Sequence, residues 1–289
     1  MKPLDLVTQI SFEPIPTAMI VVTTAWYLLM VHRLQAKGRR WPWTRTASWL
    51  FAEFMLAFGL ISGLAAHDEK FTLHTTQHIA ISMVAPIFFA LSAPMTLALQ
   101  AGSRRTQTGL LKVLHSRPFM VIAHPITAWL LYGASLFALY FTSLYATTLT
   151  NDTVHNLVHV GLILVGCIFW WPVIGLDPVP YRMNYFVKML YLFAAMPFHT
   201  VLGLALQSQT TPISPTTSLA DLHAGGGLMW ISGEAMGLIG GMAVFVQWLA
   251  ADERQAKRED RVNEAAADAQ LAHWRATREA AARATSGSA

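Results

Sequence analysis

The chain is short of cysteine and short of charge. Cys167 is its single cysteine in 289 residues, so no intrachain disulfide and no Cys-pair zinc site can form. Charged residues make up 12%, against about 25% in an ordinary soluble domain. Fourteen of them lie in the 38 residues from 252 to 289, which leaves the first 251 residues too poorly charged to coat a soluble globule. There is no internal repeat, Walker loop, Rossmann fingerprint or low-complexity block. These absences argue against a soluble enzyme, a disulfide scaffold, a disordered chain and a nucleic-acid binder.

Apolar sequence is abundant: 54% of residues are hydrophobic and the mean hydropathy is +0.42. A membrane span needs about 20 mostly apolar residues. Seven stretches qualify, at 15–31, 47–66, 75–100, 119–146, 153–175, 185–207 and 227–250. Their runs are continuous rather than alternating, which predicts helices and not barrel strands. The fold expectation is therefore an all-α polytopic membrane protein, a seven-transmembrane-helix bundle. It comprises a membrane domain at 1–251 and a charged helical tail at 252–289. The N-terminus lacks a small-residue cleavage site, so the first span is expected to stay as a permanent helix.

Lysine and arginine orient the bundle. The loops at 32–46, 101–118 and 176–188 and the tail hold 18 of the 20 basic residues; Lys2 and Lys70 fall on the other side. The positive-inside rule then predicts an outer N-terminus and a cytoplasmic C-terminus. The tail's seven basic and seven acidic residues cancel, which predicts a solvated helix continuing from the last span and ending in a frayed Ala/Ser/Gly stretch.

Eleven histidines are unevenly placed. His32, His115, His124 and His273 fall toward the cytoplasmic side. His67, His74, His78, His155, His159, His199 and His223 fall at the outer ends. At 1.5 Å rise per residue, His78, His159, His199 and Glu234 all lie roughly 6–12 Å below the outer surface. Two H-x-x-x-H pairs, His74/His78 and His155/His159, each put both imidazoles on one helix face. Imidazole is the commonest metal ligand and suits copper, zinc, iron and nickel. Polar groups within a bilayer normally face the bundle interior. The candidate metal ligands are His74, His78, His155, His159 and His199. Glu234, Asp221, His223, Met196 and Met229 stand as additional ligands or supports. Taken singly, His67 and His223 read as exposed loop histidines, Asp221 equally as a helix cap, and most methionines as apolar filler.

Elsewhere, Cys167 reads as a small buried apolar residue. Glu53 is expected to pair with a loop arginine, with a proton path as the alternative. Gly233, Gly237 and Gly241 form a face for close helix packing. Pro86, Pro94, Pro172 and Pro197 lie inside spans and should kink them.

The motifs together resemble one family. The stretch HTTQHIAISMVAPIFFALSAP at 74–94 is similar to the signature of the CtaG-type (caa3-associated) cytochrome c oxidase assembly factors, usually H-M-x-Q-H followed by A-P and G-x-P. HNLVHVGLILVGCIFWWPVIGLDPVP at 155–180 resembles a second block. MPFHTVLGLAL at 196–206, AGGGLMW at 224–230 and VQWLAADERQAKREDR at 246–261 resemble the actinobacterial-type branch. Three positions depart from the pattern. Thr75 replaces a methionine, Asp221-Leu222-His223 stands where Asp-Gln is common, and residues 139–142 lack a Trp-His-x-Pro element of other branches.

The resemblance implies a multi-pass protein of the bacterial cell membrane, needed to mature a haem–copper oxidase. It carries the family's histidines over to His74, His78, His155, His159 and His199. It implies copper, as Cu(I), as the bound metal, with oxidase subunits or another copper chaperone as partners, alongside the lipid bilayer and no nucleic acid. Binding by neutral imidazoles should weaken as pH falls through about 6.5. Two alternatives stay open: an intramembrane zinc hydrolase using Glu234 or Asp221 as base, and a b-type haem protein.

Overall fold

The computed structural model describes residues 13–66, 70–214 and 217–286, with side chains of 65–66 and 275–286 left aside. All regular structure among these residues is helical. His67 lies outside them. The chain divides into two compact units, Met1–Gly240 and Gly241–Ala289.

The first helices are α1 (Pro14–Ala36), α2 (Trp43–Leu60) and the single turn α3 (Gly63–Ala66). Next come α4 (Phe71–Ile79), a π-helical turn (Ala80–Val84), α5 (Ala85–Ser92) and α6 (Pro94–Ala101). The four segments from Phe71 to Ala101 form one apolar run of 31 residues. It is not one straight rod. Ala93 adopts a left-handed φ of 51°, and Pro94, lacking an N–H, opens a new helix there. The π turn widens the helix just after His78 and ahead of Pro86.

The span expected at 119–146 is broken at both ends. It resolves into α8 (Arg117–Ile122), α9 (Pro125–Phe141) and α10 (Leu144–Thr148), after the amphipathic α7 (Arg104–Leu114). Pro125 starts α9, and the His124 ring accepts a hydrogen bond from Ile126 N at its first turn. Extended Thr142 stops it. The longer rods are α11 (Asp152–Ile174), α12 (Tyr185–Gln207) and α13 (Leu219–Ser286).

Five helical stretches are long and apolar enough to cross a membrane: Pro14–Ala36, Phe71–Ala101, Asp152–Ile174, Tyr185–Gln207 and Leu219–Trp274. The other two expected spans correspond to α2, of 18 residues, and the shorter apolar α9, of 17.

In the first unit, α2 and α11 both pack along α5 and the π turn, α1 packs on α2 and α6, and α9 bridges α11 and α12. Large apolar side chains point both ways. Ile231 is 66% exposed while Met229, two residues back, is 2% exposed. Apolar surface on the outside as well as the inside is what a lipid-facing bundle needs.

Tight helix contacts rest on glycines. A Cβ added at Gly166 of α11 would run into the Ser82 carbonyl and come 2.7 Å from Pro86 Cγ. At Gly203 of α12 it would come 2.6 Å from Gly226 O. At Gly233 it would run into the His199 side chain, and at Gly237 it would come 2.6 Å from Met196 Cγ. The expected small-residue face of α13 is thus used, for these two positions, to admit His199 and Met196.

One polar residue differs from expectation. Glu53 does not pair with a loop arginine. Its Oε1 accepts from Thr23 Oγ1 at 2.7 Å, and its Oε2 is buried without a hydrogen-bond partner. Arg45, on the same helix, stands over the Trp41 ring instead, 4.8 Å from its centroid. Cys167 sits partly buried against the Leu56, Leu60, Ile81, Ala85 and Ile163 cluster, as an apolar residue would. In the second unit, exposed Lys257 and Glu253 pair at 2.8 Å across one helical turn.

Candidate metal centre

The register of α4 is set from a distance. Lys70 precedes its first residue and provides no side-chain cap. Asp221, in the first turn of α13, does so instead. Its carboxylate accepts from Phe71 N at 2.6 Å, Thr72 N at 3.3 Å and Thr72 Oγ1 at 2.6 Å. A carboxylate on orphan N–H groups at a helix N-terminus is favoured by hydrogen bonding and by the helix dipole. Asp221 is a cap, for α4 rather than for its own helix.

One turn further on, His74 and His78 lie ring over ring with centroids 4.1 Å apart. His74 is fully buried, and neither of its ring nitrogens has a hydrogen-bond partner. His78 is also buried; its Nδ1 meets Tyr140 Oη at 3.3 Å, while its Nε2 has no partner. Tyr145 of α10 stands edge-on to the His74 ring at 5.0 Å.

The second pair comes from α11. Asn151 caps that helix by accepting from Val154 N at 3.1 Å. His155 and His159 then face one way, with centroids 4.3 Å apart and Nε2 atoms 3.1 Å apart. The two pairs meet. His78 and His159 are 5.3 Å apart between centroids, and His74 and His155 are 6.1 Å apart. Four imidazoles around one ion at about 2.0–2.1 Å would stand roughly 5 Å apart between centroids. The ring spacing therefore suits a shared ion. The donor atoms are not converged on one: among the described residues no three His, Cys, Asp or Glu side chains form a ready metal shell.

This cluster has an open side. A cavity of about 240 Å³ is lined by Gln77, His155, Asn156, His159 and the carboxylates Glu13 and Asp152. Two imidazoles and two acids line it.

The remaining candidates are elsewhere. His199 Nε2 meets Tyr132 Oη at 3.0 Å and lines a separate cavity with Met196. Glu234 accepts a hydrogen bond from Thr200 Oγ1. His223 is not an exposed loop residue: it lies half-buried in α13 and its Nε2–H donates to Gln209 O at 2.9 Å. That contact with the preceding loop ties the ring down and leaves it only partly exposed. Met229 is buried and lines neither cavity.

Sequence reasoning missed Tyr132, Tyr140, Tyr145, Glu13 and Asp152. Gln77 and Asp152 could have been found from their places inside or just before the H-x-x-x-H pairs. The tyrosines gave no signal, since their approach depends on tertiary packing alone.

Apolar helices, five stretches of them long and apolar enough to cross a membrane, gather four imidazoles at one place. The chain belongs to the cytochrome c oxidase caa3 assembly factor family (Caa3_CtaG), which matches residues 25–251. It is also similar to uncharacterized proteins of Mycobacterium bovis and Mycobacterium tuberculosis, 33% identical over 278 residues in each case. A protein of Mycobacterium leprae is 33% identical over 272 residues. These alignments cover 89%, 89% and 86% of this chain but only 42%, 42% and 41% of the relatives, so the chain spans less than half their length. No solved structure matches it.

Proposed function

We propose that this chain takes Cu(I) as cargo on His74, His78, His155 and His159 and hands it to a haem–copper oxidase under assembly in the bacterial cell membrane, without catalytic turnover. In this reading the bundle crosses the membrane seven times. The N-terminus and the histidine cluster face outward, and the charged tail lies in the cytoplasm, which the Lys/Arg distribution supports. Family membership supports the oxidase-assembly role.

One observation carries the copper reading. Two helices each bring two imidazoles to one place, and buried His74 has no hydrogen-bond partner at either ring nitrogen. A buried polar atom without a partner costs about 1–3 kcal/mol, so it needs a compensating role. Coordination of a cation is one such role. Imidazole nitrogen suits copper. Glu13 and Asp152 at the mouth attract the cation, and half-buried His155 is the ligand a partner reaches first. Release then proceeds by ligand exchange with the recipient, an oxidase subunit or a second copper chaperone.

The test is Cu(I) titration of the full chain in detergent against a chromogenic chelator, with His74→Ala and His159→Ala variants beside it. Loss of one Cu(I) equivalent per chain in both variants supports the proposal. Failure of the unaltered chain to compete for Cu(I) overturns it.

A further inference from the structure

His199 was expected to share the histidine cluster; instead it lies in a small cavity of about 20 Å³ with Met83, Met196 and Met236. That volume holds a single water-sized particle. We propose that this cavity is a second cation site, a thioether-rich one selective for a soft monovalent ion such as Cu(I). It stands independently of the four-histidine reading.

Four observations build the site. His199 is 3% exposed, and its Nδ1 has no hydrogen-bond partner. Its other nitrogen, Nε2, meets Tyr132 Oη at 3.0 Å. A ligating histidine commonly has its second nitrogen held by such a partner, which fixes ring orientation and tautomer. With a metal on Nδ1, the proton sits on Nε2 and is donated to Tyr132 Oη. Third, thioether sulfur favours Cu(I) over harder divalent ions, and three of the lining residues supply it. Met83 reaches the cavity from the π-helical turn, a distortion frequent at functional sites. Fourth, α13 carries glycine where it faces these ligands. A Cβ at Gly233 would overlap His199, and one at Gly237 would stand 3.0 Å from Met196 Sδ.

The residues lining this cavity can offer one imidazole and three thioethers, whereas the first cluster offers nitrogen alone. Met83 follows His78 by five residues on the same helical run, so one structural element serves both places.

The experiment uses the full chain in detergent, grown with selenomethionine and loaded with Cu(I). Copper-edge X-ray absorption distinguishes heavy selenium neighbours from nitrogen. Selenium neighbours are expected in the unaltered chain and in a His74→Ala/His155→Ala variant. They should vanish in Met83→Leu/Met196→Leu/Met236→Leu. Should the triple variant lose its normal elution profile, Met196→Leu alone should lower the selenium count. In the His74→Ala/His155→Ala background, Tyr132→Phe should weaken Cu(I) binding by about 10–100-fold, as loss of a positioning partner does. Nitrogen-only copper in the unaltered chain overturns this site while leaving the four-histidine proposal standing. So does a selenium signal that the methionine variants leave unchanged. Copper lost entirely from a normally eluting His74→Ala/His155→Ala variant also overturns it.

Discussion

His155 and His159 hold their Nε2 atoms 3.1 Å apart across one turn of α11. At that separation the pair shares either a proton or an ion, and never two protons at the facing positions. Replacing either with alanine is expected to weaken Cu(I) binding at least tenfold, because second-layer partners alone are worth about 10–100-fold. His223→Ala is the control. Its Nε2 is engaged by Gln209 O, so chelator competition should read the same affinity as the unaltered chain.

Gly166 governs how closely the two histidine-bearing helices approach. Its Cα faces the Ser82 carbonyl, one turn past His78, and a backbone oxygen cannot rotate away as a side chain would. Gly166→Ala should therefore push α11 off the π turn and cost about 1–3 kcal/mol, the usual range for overpacking. A lower thermal midpoint in detergent together with weaker Cu(I) binding is expected. A fully stable Gly166→Ala protein would mean that the helices are not in this close contact.

The helices and the two H-x-x-x-H pairs were legible because both depend on local sequence. Long apolar runs announce the rods, and four-residue spacing puts His74 with His78 and His155 with His159 before any tertiary structure is known. Helical rise alone set the expectation that His199 and Glu234 lie at the same level as the pairs. Depth does not fix azimuth. His199 meets Tyr132, and Gly233 and Gly237 of α13 leave room for the His199 and Met196 side chains of α12. Pro125 and Thr142 cut short what composition alone extends to 28 residues, and the left-handed Ala93 divides another run. Asp221 looked like a local cap, since nothing in sequence spacing links it to Phe71, 150 positions away.

Asp221 ties the start of α13 to the start of α4, and through α4 to His74. Asp221→Ala removes the acceptor for Phe71 N and Thr72 N, a loss worth about 0.5–2 kcal/mol for a helix cap. Asp221→Asn keeps an acceptor oxygen and should retain part of that stability. Hydrogen exchange at the Phe71 and Thr72 amides should rise in both variants, more in the alanine form. Unchanged protection in Asp221→Ala would show that the cap contributes nothing to α4.

Asp177, in the segment between α11 and α12, plays the same part for α6. Its carboxylate accepts from Met95 N at 3.1 Å, Thr96 N at 2.6 Å and Thr96 Oγ1 at 2.6 Å. Burial raises its pKa above the ordinary value near 3.8, and the hydrogen bonds from Thr96 and Met95, with Arg45 nearby, pull it only part of the way back. The folded protein therefore keeps this proton to higher pH than the unfolded chain does. Since stability changes with pH as the difference in bound protons, unfolded minus folded, the slope from this group is negative. Its contribution is fully present below about 3.8 and is lost as pH rises through the higher folded value. Asp177→Asn cannot ionise, and its single amide oxygen keeps the two Thr96 donors that Oδ1 accepts while giving up Met95 N, which Oδ2 accepts. Thermal unfolding across the acid range should show the unaltered chain losing stability relative to Asp177→Asn as pH climbs, then running parallel to it. A gain over the same range would mean that the three hydrogen bonds outweigh the cost of burying the charge.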